Sequence, residues 1–411
     1  MKKRKMCAIF LAAVMTMGMC ACGDTAQNSG ATPTEAPVAT EAPAVTEAPT
    51  ETPTEKPQNP LLAMPADIDF NSITSAIPGQ VTVEGTDFVV NGERLYINGV
   101  NTPWDNWNDF GGTFSKSFWK DHFALLKENG INAVRVWISC DGTTGLSISK
   151  DGYINGATTK HWEHLDKFFT YAEENGIYIM ATLMSFDHFK DSNANHQAWR
   201  DLVQDDEKMD SYIQNYVIPF CERYDDFDSL WSIDLCNEPD WIHENAECGK
   251  LAWDNICEFF AKEAAAIHEH SDVLVTVGFG IVKYNSDNYS GNKGSDEYLQ
   301  SLYANENAYL DFYSNHFYEW EAQFYGFPFD KSPEAFGLDG TKPSLLGECP
   351  AIGTLGTTKW APATTGDEMY INVYNNGWDG IMGWSSNGVD DCGSLEDFKD
   401  GAMEVYKMIN E

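Results

Sequence analysis

Basic residues are scarce in this chain of 411 residues, which carries 26 Lys and Arg against 63 Asp and Glu. The formal net charge of −37 at pH 7 argues against nucleic acid as a partner, because phosphates are bound by clustered Lys and Arg. It argues equally against an anionic membrane surface as the partner of the folded part. A neutral ligand is compatible with this charge.

Cysteine patterns typical of metal or redox sites are absent beyond residue 22. Of the 10 cysteines, three lie within residues 1–22 and seven follow, and an odd number leaves at least one unpaired. The seven form no C-x-x-C and have no histidine at zinc-finger spacing. A chain that is 43% hydrophobic can build its core without disulfides, so we expect mostly buried thiols, no metal and no cofactor. The seven are Cys140, Cys221, Cys236, Cys248, Cys257, Cys349 and Cys392.

The amino-terminal residues have the pattern of a secretory signal peptide. Residues 2–5 are basic, and residues 6–19 form an apolar run too short to span a membrane. Cys22 follows the small residue Ala21 and resembles the acylated cysteine of a bacterial lipoprotein, with Cys20 as a second candidate acceptor. The alternative is plain cleavage near Ala21, with Cys22 unmodified. The pattern predicts an extracellular bacterial protein that contacts the membrane only through an N-terminal lipid.

A spacer follows the signal peptide. Residues 23–60 repeat a Thr-Glu-Ala-Pro unit and contain almost no large apolar side chains, which is typical of an extended, solvated linker. We therefore predict three parts: a signal peptide at 1–22, a linker at 23–60 and one folded domain at 61–411.

The folded part alternates helical and strand-like patterns. An Asn91–Gly92 turn between alternating strands predicts a short N-terminal β-hairpin. Four helix-then-buried-strand units follow, beginning with "SKSFWKDHFALLKENG" into "INAVRVWIS", and they predict a parallel sheet covered by helices. The first helix is expected to bury Phe118, His122, Leu125 and Leu126.

Four more strand-like runs complete the sheet. They are "YINGVN" before the first helix, and "LDFYSNHFYEW", "PSLLGECP" and "GIMGWSS" after the fourth unit. Eight repeats in one domain favour an α/β fold of the (β/α)8 TIM-barrel type over a doubly wound sheet, and no phosphate-binding glycine pattern of either fold is present.

Polar side chains stand where the predicted strands end. In a barrel, functional residues lie at the carboxyl ends of the strands. Glu238 follows Asn237 at the end of an apolar strand and precedes Pro239, and a buried carboxylate there needs partners or a raised pKa. Glu348 ends the seventh strand, so two glutamates are expected to face each other across the barrel mouth. The other strand-end residues are Arg135, Asp187, His188, His316, Tyr318 and Trp384.

This arrangement resembles glycoside hydrolase family 5, a family of retaining β-glycanases, from "LYINGVN" to "GIMGWSSN". The resemblance implies that Glu238 is the acid/base and Glu348 the nucleophile, and that Asn237 binds the sugar 2-hydroxyl. It implies that Arg135 and Tyr318 are partners of the nucleophile, that His316 neighbours the acid/base and that Trp384 lies under the cleaved sugar. His188 matches by position alone. Trp231 and Ser232 depart from the family's usual aliphatic residues.

The chemistry requires such a pair independently. Retaining cleavage of a glycosidic bond needs one protonated carboxyl group and one carboxylate about 5–5.5 Å apart. Arg135 is expected to keep Glu348 ionised, while the neighbouring negative charge raises the pKa of Glu238.

Tryptophans near the strand ends suggest how a sugar chain is held. Their flat rings can stack on pyranose rings, which predicts substrate contacts, although core packing is the alternative for each of them. The four residues are Trp104, Trp137, Trp241 and Trp320. The polar run at 284–297 could offer oxygens to calcium, but it lacks EF-hand spacing and is expected to be a plain loop.

We expect an endo-acting hydrolase of β-1,4-linked plant polysaccharide, most simply β-mannan, working as a monomer. The preference for mannan rests on overall resemblance to mannan-cutting members, and a family 5 endo-β-1,4-glucanase is the alternative. A rival from another class is a sugar-binding lipoprotein of a transporter, which would show two α/β lobes and need no paired carboxylates.

Overall fold

The computed structural model of the chain describes residues 59–411. The predictions about the signal peptide, Cys22 and most of the linker lie outside the described residues. Within the described part, no helix is both long and apolar enough to cross a membrane.

Eight parallel strands close into a barrel, which confirms the predicted (β/α)8 fold. Each strand pairs with the next along the chain, and the eighth pairs with the first. All their residues are buried, as expected for parallel strands that are covered on both faces. The strands are β1 (Ile97–Asn101), β2 (Ala133–Trp137), β3 (Tyr178–Thr182), β4 (Leu230–Asn237), β5 (Leu274–Phe279), β6 (Tyr313–His316), β7 (Ser344–Pro350) and β8 (Gly380–Trp384).

Helices surround the barrel. In chain order they are α1 (Lys116–Glu128), α2 (Thr159–Asn175), α3 (His196–Leu202), α4 (Asp206–Tyr212), α5 (Ile218–Tyr224), α6 (Pro239–Glu244), α7 (Trp253–His270), α8 (Asp296–Leu302), α9 (Ala322–Tyr325), α10 (Pro333–Phe336), α11 (Gly366–Asn375) and α12 (Lys399–Asn410). A π-helical turn, Ile213–Val217, joins α4 to α5. The single closed barrel excludes the two-lobed architecture expected of a transporter's binding protein.

The buried face of α1 differs from the prediction. His122 and Leu126 are buried as expected, but Phe118 is only partly buried and Leu125 is 44% exposed. Trp119 and Phe123 are buried instead. Both sets satisfy helical spacing, so periodicity alone could not separate them. The indole of Trp119 packs edge-on against Phe168 of α2 with ring centroids 4.8 Å apart, and this contact fixes the face.

A small antiparallel sheet precedes the barrel. The predicted hairpin is present, with Asp87–Val90 and Glu93–Leu95 joined at Asn91 and Gly92, both of which have positive φ. A third strand, Thr82–Glu84, pairs with the first of these, so the element is a three-stranded sheet and not a simple hairpin. Gly85, at φ 67°, provides the extra turn that periodicity did not reveal.

This sheet covers the amino-terminal end of the barrel. Phe88 packs edge-on against Trp231 of β4 and against Phe312, with ring centroids 5.2 Å and 5.1 Å away. Trp231 and Phe312 are themselves stacked at 5.1 Å. Trp231, the departure from the family pattern, therefore belongs to the apolar floor of the barrel, far along β4 from Glu238.

All seven cysteines of the described residues are buried, and Cys140, Cys221, Cys236, Cys248, Cys257 and Cys349 are free thiols, in line with the prediction that most of the seven would be.

Short elements extend the loops that follow the strands. Short antiparallel pairs follow β2 (Leu146–Ile148 with Ile154–Ala157), β5 (Asn285–Ser286 with Gly291–Asn292) and β7 (Thr354–Leu355 with Ala363–Thr364). The 3₁₀ turns that follow β3, β6 and β8 are Phe186–Phe189, Glu319–Glu321 and Val389–Asp391.

Candidate active site

Glu238 sits at the turn between β4 and α6. Its backbone is left-handed (φ 49°, ψ 56°), an unusual conformation for a residue other than glycine, and its N–H donates to the carbonyl of Gly278 at 2.7 Å. Pro239 then begins the helix, since a first helical position needs no N–H donor. A Cβ on Gly280 would lie 3.2 Å from Glu238, so glycine there leaves room for the side chain.

The two oxygens of the Glu238 carboxyl group have different partners. Oε1 lies 3.0 Å from Nδ1 of His316, and Oε2 accepts a hydrogen bond from Nε1 of Trp241 at 2.8 Å. The side chain is 14% exposed. Burial raises the pKa of Glu238 to about 7, and the Trp241 hydrogen bond and Arg135 oppose that shift. Near neutral pH this group can therefore hold a proton and release it.

Glu348 on β7 accepts hydrogen bonds from stronger donors than Glu238 does. The Tyr318 hydroxyl donates to Oε1 at 2.6 Å, and Nη1 of Arg135 donates to Oε2 at 3.1 Å. Burial raises the pKa of Glu348 and the neighbouring Glu238 adds to this effect, while Arg135 and the Tyr318 hydroxyl favour its ionised form. Because a guanidinium contacts Glu348 and none contacts Glu238, Glu348 is the carboxylate of the pair.

Arg135 is the centre of a fully buried network. Its Nε and Nη2 donate to Oδ2 of Asp234 at 2.9 Å and 2.8 Å. It also donates to Oδ1 of Asn101 at 3.0 Å and to Oδ1 of Asn237 at 2.8 Å. With Glu348 as its fourth partner, the guanidinium is saturated, and it fixes the nucleophile relative to the end of β4.

Asp234 and Asn101 are functional residues that the sequence reasoning missed. Asp234 also accepts bonds from Thr182 Oγ1 at 2.9 Å and from the Gly278 N–H at 2.8 Å. The side-chain amide of Asn101 donates to backbone carbonyls of Gly347 and Met382. A signal was present, since an aspartate in the middle of the apolar run "WSIDLCNEP" needs either a partner such as a buried cation or a raised pKa.

His316 lies between the two glutamates. Its side chain is fully buried, and burial lowers its pKa to about 4, so the ring is neutral at working pH. Nδ1 is 3.5 Å from Oε2 of Glu348 as well as 3.0 Å from Glu238. A Cβ on Gly278 would come within 3.0 Å of its Nε2 and 2.9 Å of the Arg135 guanidinium. Gly278 is therefore required for the close packing of both.

The two carboxyl groups lie close together, as double displacement requires. One oxygen of Glu238, one of Glu348 and a ring nitrogen of His316 all lie within 4.8 Å of one another. Retaining enzymes place the pair about 5–5.5 Å apart, whereas inverting enzymes need room for a water molecule between them. The same three side chains could hold a metal ion, although the paired-carboxyl reaction does not require one.

Aromatic side chains cluster beside the nucleophile. Trp104, Trp137 and Trp384 pack mutually, with ring centroids 5.1 Å, 5.7 Å and 6.0 Å apart, and Tyr318 packs against this cluster. Trp384 is 4% exposed and Trp137 5%, so little of either ring reaches solvent. Trp107 is 43% exposed and lies 4.7 Å from Trp104, which extends the aromatic surface outward.

A second aromatic pair lies on the acid/base side. Trp241 and Trp320 have ring centroids 6.3 Å apart, and Trp320 is 44% exposed. The predicted tryptophans therefore fall into two groups, one beside Tyr318, the partner of Glu348, and one beside Glu238. An exposed indole in each neighbourhood fits a ligand longer than one sugar ring.

His188 is placed differently from the other predicted residues. It is fully buried in the 3₁₀ turn after β3, with Nε2 3.3 Å from Ser139 Oγ and Nδ1 3.0 Å from the Ser185 carbonyl. Ser185 Oγ in turn lies 3.5 Å from the amide nitrogen of Asn237. His188 thus supports the wall behind Asn237. Its predicted contact with substrate stays a prediction.

Comparison with known proteins agrees with this geometry. A mannan endo-1,4-beta-mannosidase of Cryptopygus antarcticus is 24% identical over 355 residues, covering 80% of this chain and 90% of its own. One from Mytilus edulis is 26% identical over 337 residues, covering 75% and 89%. The crystal structure of an endo-1,4-beta-mannanase from Eisenia fetida shares the fold, with a TM-score of 0.70 at 22% identity over 80% of this chain and 95% of that one.

The family itself is identified by sequence. A model described as cellulase (glycosyl hydrolase family 5) matches residues 89–387, which is well over half of the chain and runs from the N-terminal sheet past β8. Since this segment carries both glutamates and their partners, the chain belongs to glycosyl hydrolase family 5 and is a retaining O-glycosyl hydrolase.

Proposed function

We propose that this protein is an endo-1,4-β-mannanase that cleaves β-mannan by double displacement. The observation that carries the reaction is the pair Glu238 and Glu348, held within 4.8 Å with unlike partners. The choice of mannan is supported by the two curated relatives, both of which are named as mannan endo-1,4-beta-mannosidases. Aromatic side chains in the neighbourhood of each glutamate support cleavage within a chain.

The first step forms a glycosyl ester. The Glu348 carboxylate attacks the anomeric carbon while the bond from that carbon to the glycosidic oxygen breaks. Glu238 gives its proton to the departing oxygen, which leaves as a sugar hydroxyl. Arg135 and Tyr318 hold the two Glu348 oxygens, so the attacking group is oriented before the substrate arrives.

The second step releases the sugar. Once Glu348 is esterified its negative charge is gone, and the ionised Glu238 can accept a proton from water. The water oxygen bonds to the anomeric carbon, the ester bond breaks and Glu348 leaves as a carboxylate. Two inversions give net retention, and Glu238 regains the proton that the next cycle needs.

A substrate panel tests the choice of polysaccharide. Reducing ends released from galactomannan, glucomannan, carboxymethylcellulose, xyloglucan and barley glucan are measured with equal enzyme. We expect cleavage of both mannans to exceed that of the glucans. The second candidate, an endo-β-1,4-glucanase, is favoured by the family description as cellulase. Activity confined to the glucans would overturn the mannan proposal in its favour.

We propose further that the enzyme is a lipoprotein on the outer face of a bacterial cell, and that it acts as a monomer. Cys22 after the apolar run supports the anchor, and the Thr-Glu-Ala-Pro repeats of residues 23–60 support a spacer between lipid and enzyme. Fractionating cells that produce the parent or Cys22→Ala tests this. The parent should remain with the membranes, and the variant should not. If the parent and the variant appear in the medium in equal amounts, the lipid anchor is wrong and only the proposal of secretion remains.

A further inference from the structure

Trp241 makes a contact that substrate stacking does not explain. It stands three residues after Glu238, in the first turn of α6, and its backbone N–H donates to the Glu238 carbonyl at 3.1 Å. Its indole N–H reaches back to Oε2 of Glu238 at 2.8 Å. Two hydrogen bonds therefore tie this residue to the acid/base, one through the backbone and one through the side chain.

The chemistry of the indole determines which form of Glu238 this contact favours. An indole N–H donates and cannot accept, and it has no ionised form at working pH. It therefore stabilises Oε2 as an acceptor, which favours the carboxylate form of Glu238 over the protonated form. Trp241 opposes the effect of burial, and of the groups acting on Glu238 it is the strongest that favours ionisation.

The other groups that face Glu238 act differently. From β6, the neutral His316 ring lies against the other carboxyl oxygen, with Nδ1 3.0 Å from Oε1. From β2, Arg135 favours ionisation of Glu238 through space only, since its hydrogen bonds go to other residues. Lys190 and Asp187, near the turn after β3, form an ion pair at 2.6 Å. Lys190 favours ionisation of Glu238 and Asp187 disfavours it, so their effects on the pKa of Glu238 oppose each other.

Three further carboxyl groups surround the same site. Glu348 on β7, Asp240 on α6 and Glu321 in the turn after β6 each interact electrostatically with Glu238. A negative charge on any of them disfavours ionisation of Glu238. Burial raises the pKa of Asp240 to about 8 and that of Glu321 well above its usual range, so burial disfavours the charged form of both groups.

We propose that Trp241 is a positioning residue that tunes the proton affinity of the acid/base through its indole N–H. The inference rests on Glu238 as acid/base and not on the choice of polysaccharide. Holding Oε2 also orients the carboxyl plane, with Trp320 packed beside the indole at 6.3 Å. The general acid lies beside the leaving group, so the same indole forms part of the wall of the leaving-group side.

The test is the pH dependence of kcat/KM for Trp241→Phe, which keeps an aromatic ring and removes the N–H. The alkaline limb reports loss of the Glu238 proton in the free enzyme. Loss of one charge-assisted hydrogen bond should move this limb upward by about one pH unit. Trp241→Leu also lacks the N–H and should shift the limb in the same direction, so the result does not depend on one variant folding.

The matched control is Trp107→Phe. Trp107 is also partly exposed, and its Nε1 donates to a carboxylate at 3.0 Å, but that carboxylate is Asp141. Its removal should leave the alkaline limb at the position of the parent. Thermal unfolding midpoints of all variants confirm that folded proteins are compared.

A second readout separates tuning from a structural role. An aryl glycoside with a strongly acidic leaving phenol needs little protonation, so Trp241→Phe should affect its cleavage less than that of an oligosaccharide. The proposal is overturned if the alkaline limb of Trp241→Phe stays in place or moves to lower pH. It is also overturned if the limb of Trp107→Phe moves by the same amount. Equal losses on both substrates would also overturn it. The proposed function is judged separately, by whether the parent cleaves mannan.

Discussion

At the amino-terminal end of the barrel, Phe88, Trp231 and Phe312 pack ring against ring, whereas at the carboxyl end Arg135 and Asp234 form a buried ion pair. The rings are stabilised by removal from water, which needs no directional partner. The ion pair repays its desolvation only when every polar atom finds a partner, and here four residues saturate the guanidinium. One end thus contributes stability, and the other fixes geometry at a cost in stability.

The largest effect is expected where this polar end touches the substrate. Glu348→Ala should lower kcat by about 10⁴-fold or more, as expected when a covalent mechanism loses its nucleophile. Glu238→Ala should cost about 10²- to 10⁴-fold with natural substrate, the usual contribution of a general acid. Release of reducing ends measures both.

Added azide distinguishes the two roles. With an activated aryl glycoside, azide takes the place of water in Glu238→Ala and gives a β-glycosyl azide. In Glu348→Ala it takes the place of the nucleophile and gives the α-anomer. Glu263→Gln, which changes a buried glutamate of α7 outside the site, is the control. The opposite stereochemistry would exchange the assigned roles.

Asp234→Asn should damage both stability and activity. It leaves the Arg135 guanidinium buried with one carboxylate partner fewer, and breaking a buried pair costs about 3–5 kcal/mol. The freed guanidinium can also shift away from Asn237 and Glu348, so kcat should fall in the protein that remains folded. Urea unfolding and activity at saturating substrate measure the two effects. A stable, fully active variant would mean that Asp234 does not hold the network.

Trp231→Ala should separate the two ends most clearly. Removal of this fully buried indole leaves a cavity beneath Phe88 and Phe312, at a cost of about 3–5 kcal/mol. Because Trp231 belongs to an apolar cluster of the described residues that includes no catalytic group, kcat/KM per folded molecule should equal that of the parent. Urea unfolding measures the first quantity, and kinetics well below the unfolding transition measures the second. A change in kcat/KM would show that the floor is coupled to the site.

The sequence predicted the parts of this comparison that depend on local pattern. Glu238 and Glu348 were found because each ends an apolar run, and parallel strands bring such ends to one edge. The bond from Arg135 to Asp234 was missed because it joins positions 99 residues apart, and only closure of the barrel determines the partner. Leu125 was misplaced because two faces of α1 fit the same spacing, and packing against α2 decides between them.

The smallest expected effect concerns a buried carboxyl group that belongs to neither of the two ends of the barrel compared above. Glu263 of α7 is buried, and neither of its oxygens has a hydrogen-bond partner within the described residues. Burial raises the pKa of Glu263 well above its usual range, so the folded protein keeps this proton at a pH where the unfolded chain has lost it. The contribution of Glu263 to the free energy of unfolding is therefore fully present below the ordinary glutamate pKa. It decreases as pH rises above that value, by at most about 1.4 kcal/mol per pH unit.

Glu263→Gln removes this titration and retains the shape of the protonated side chain. It should therefore stabilise the protein at pH 8 more than at pH 5, as measured by urea unfolding at both values. Glu297→Gln on α8, where the side chain is exposed, is the matched control and should change little at either pH. An equal effect of Glu263→Gln at both pH values would mean that the proton is not retained on folding. Glu263 would then differ from Glu238, whose pKa is raised by burial, in its environment as well as in its lack of a catalytic partner.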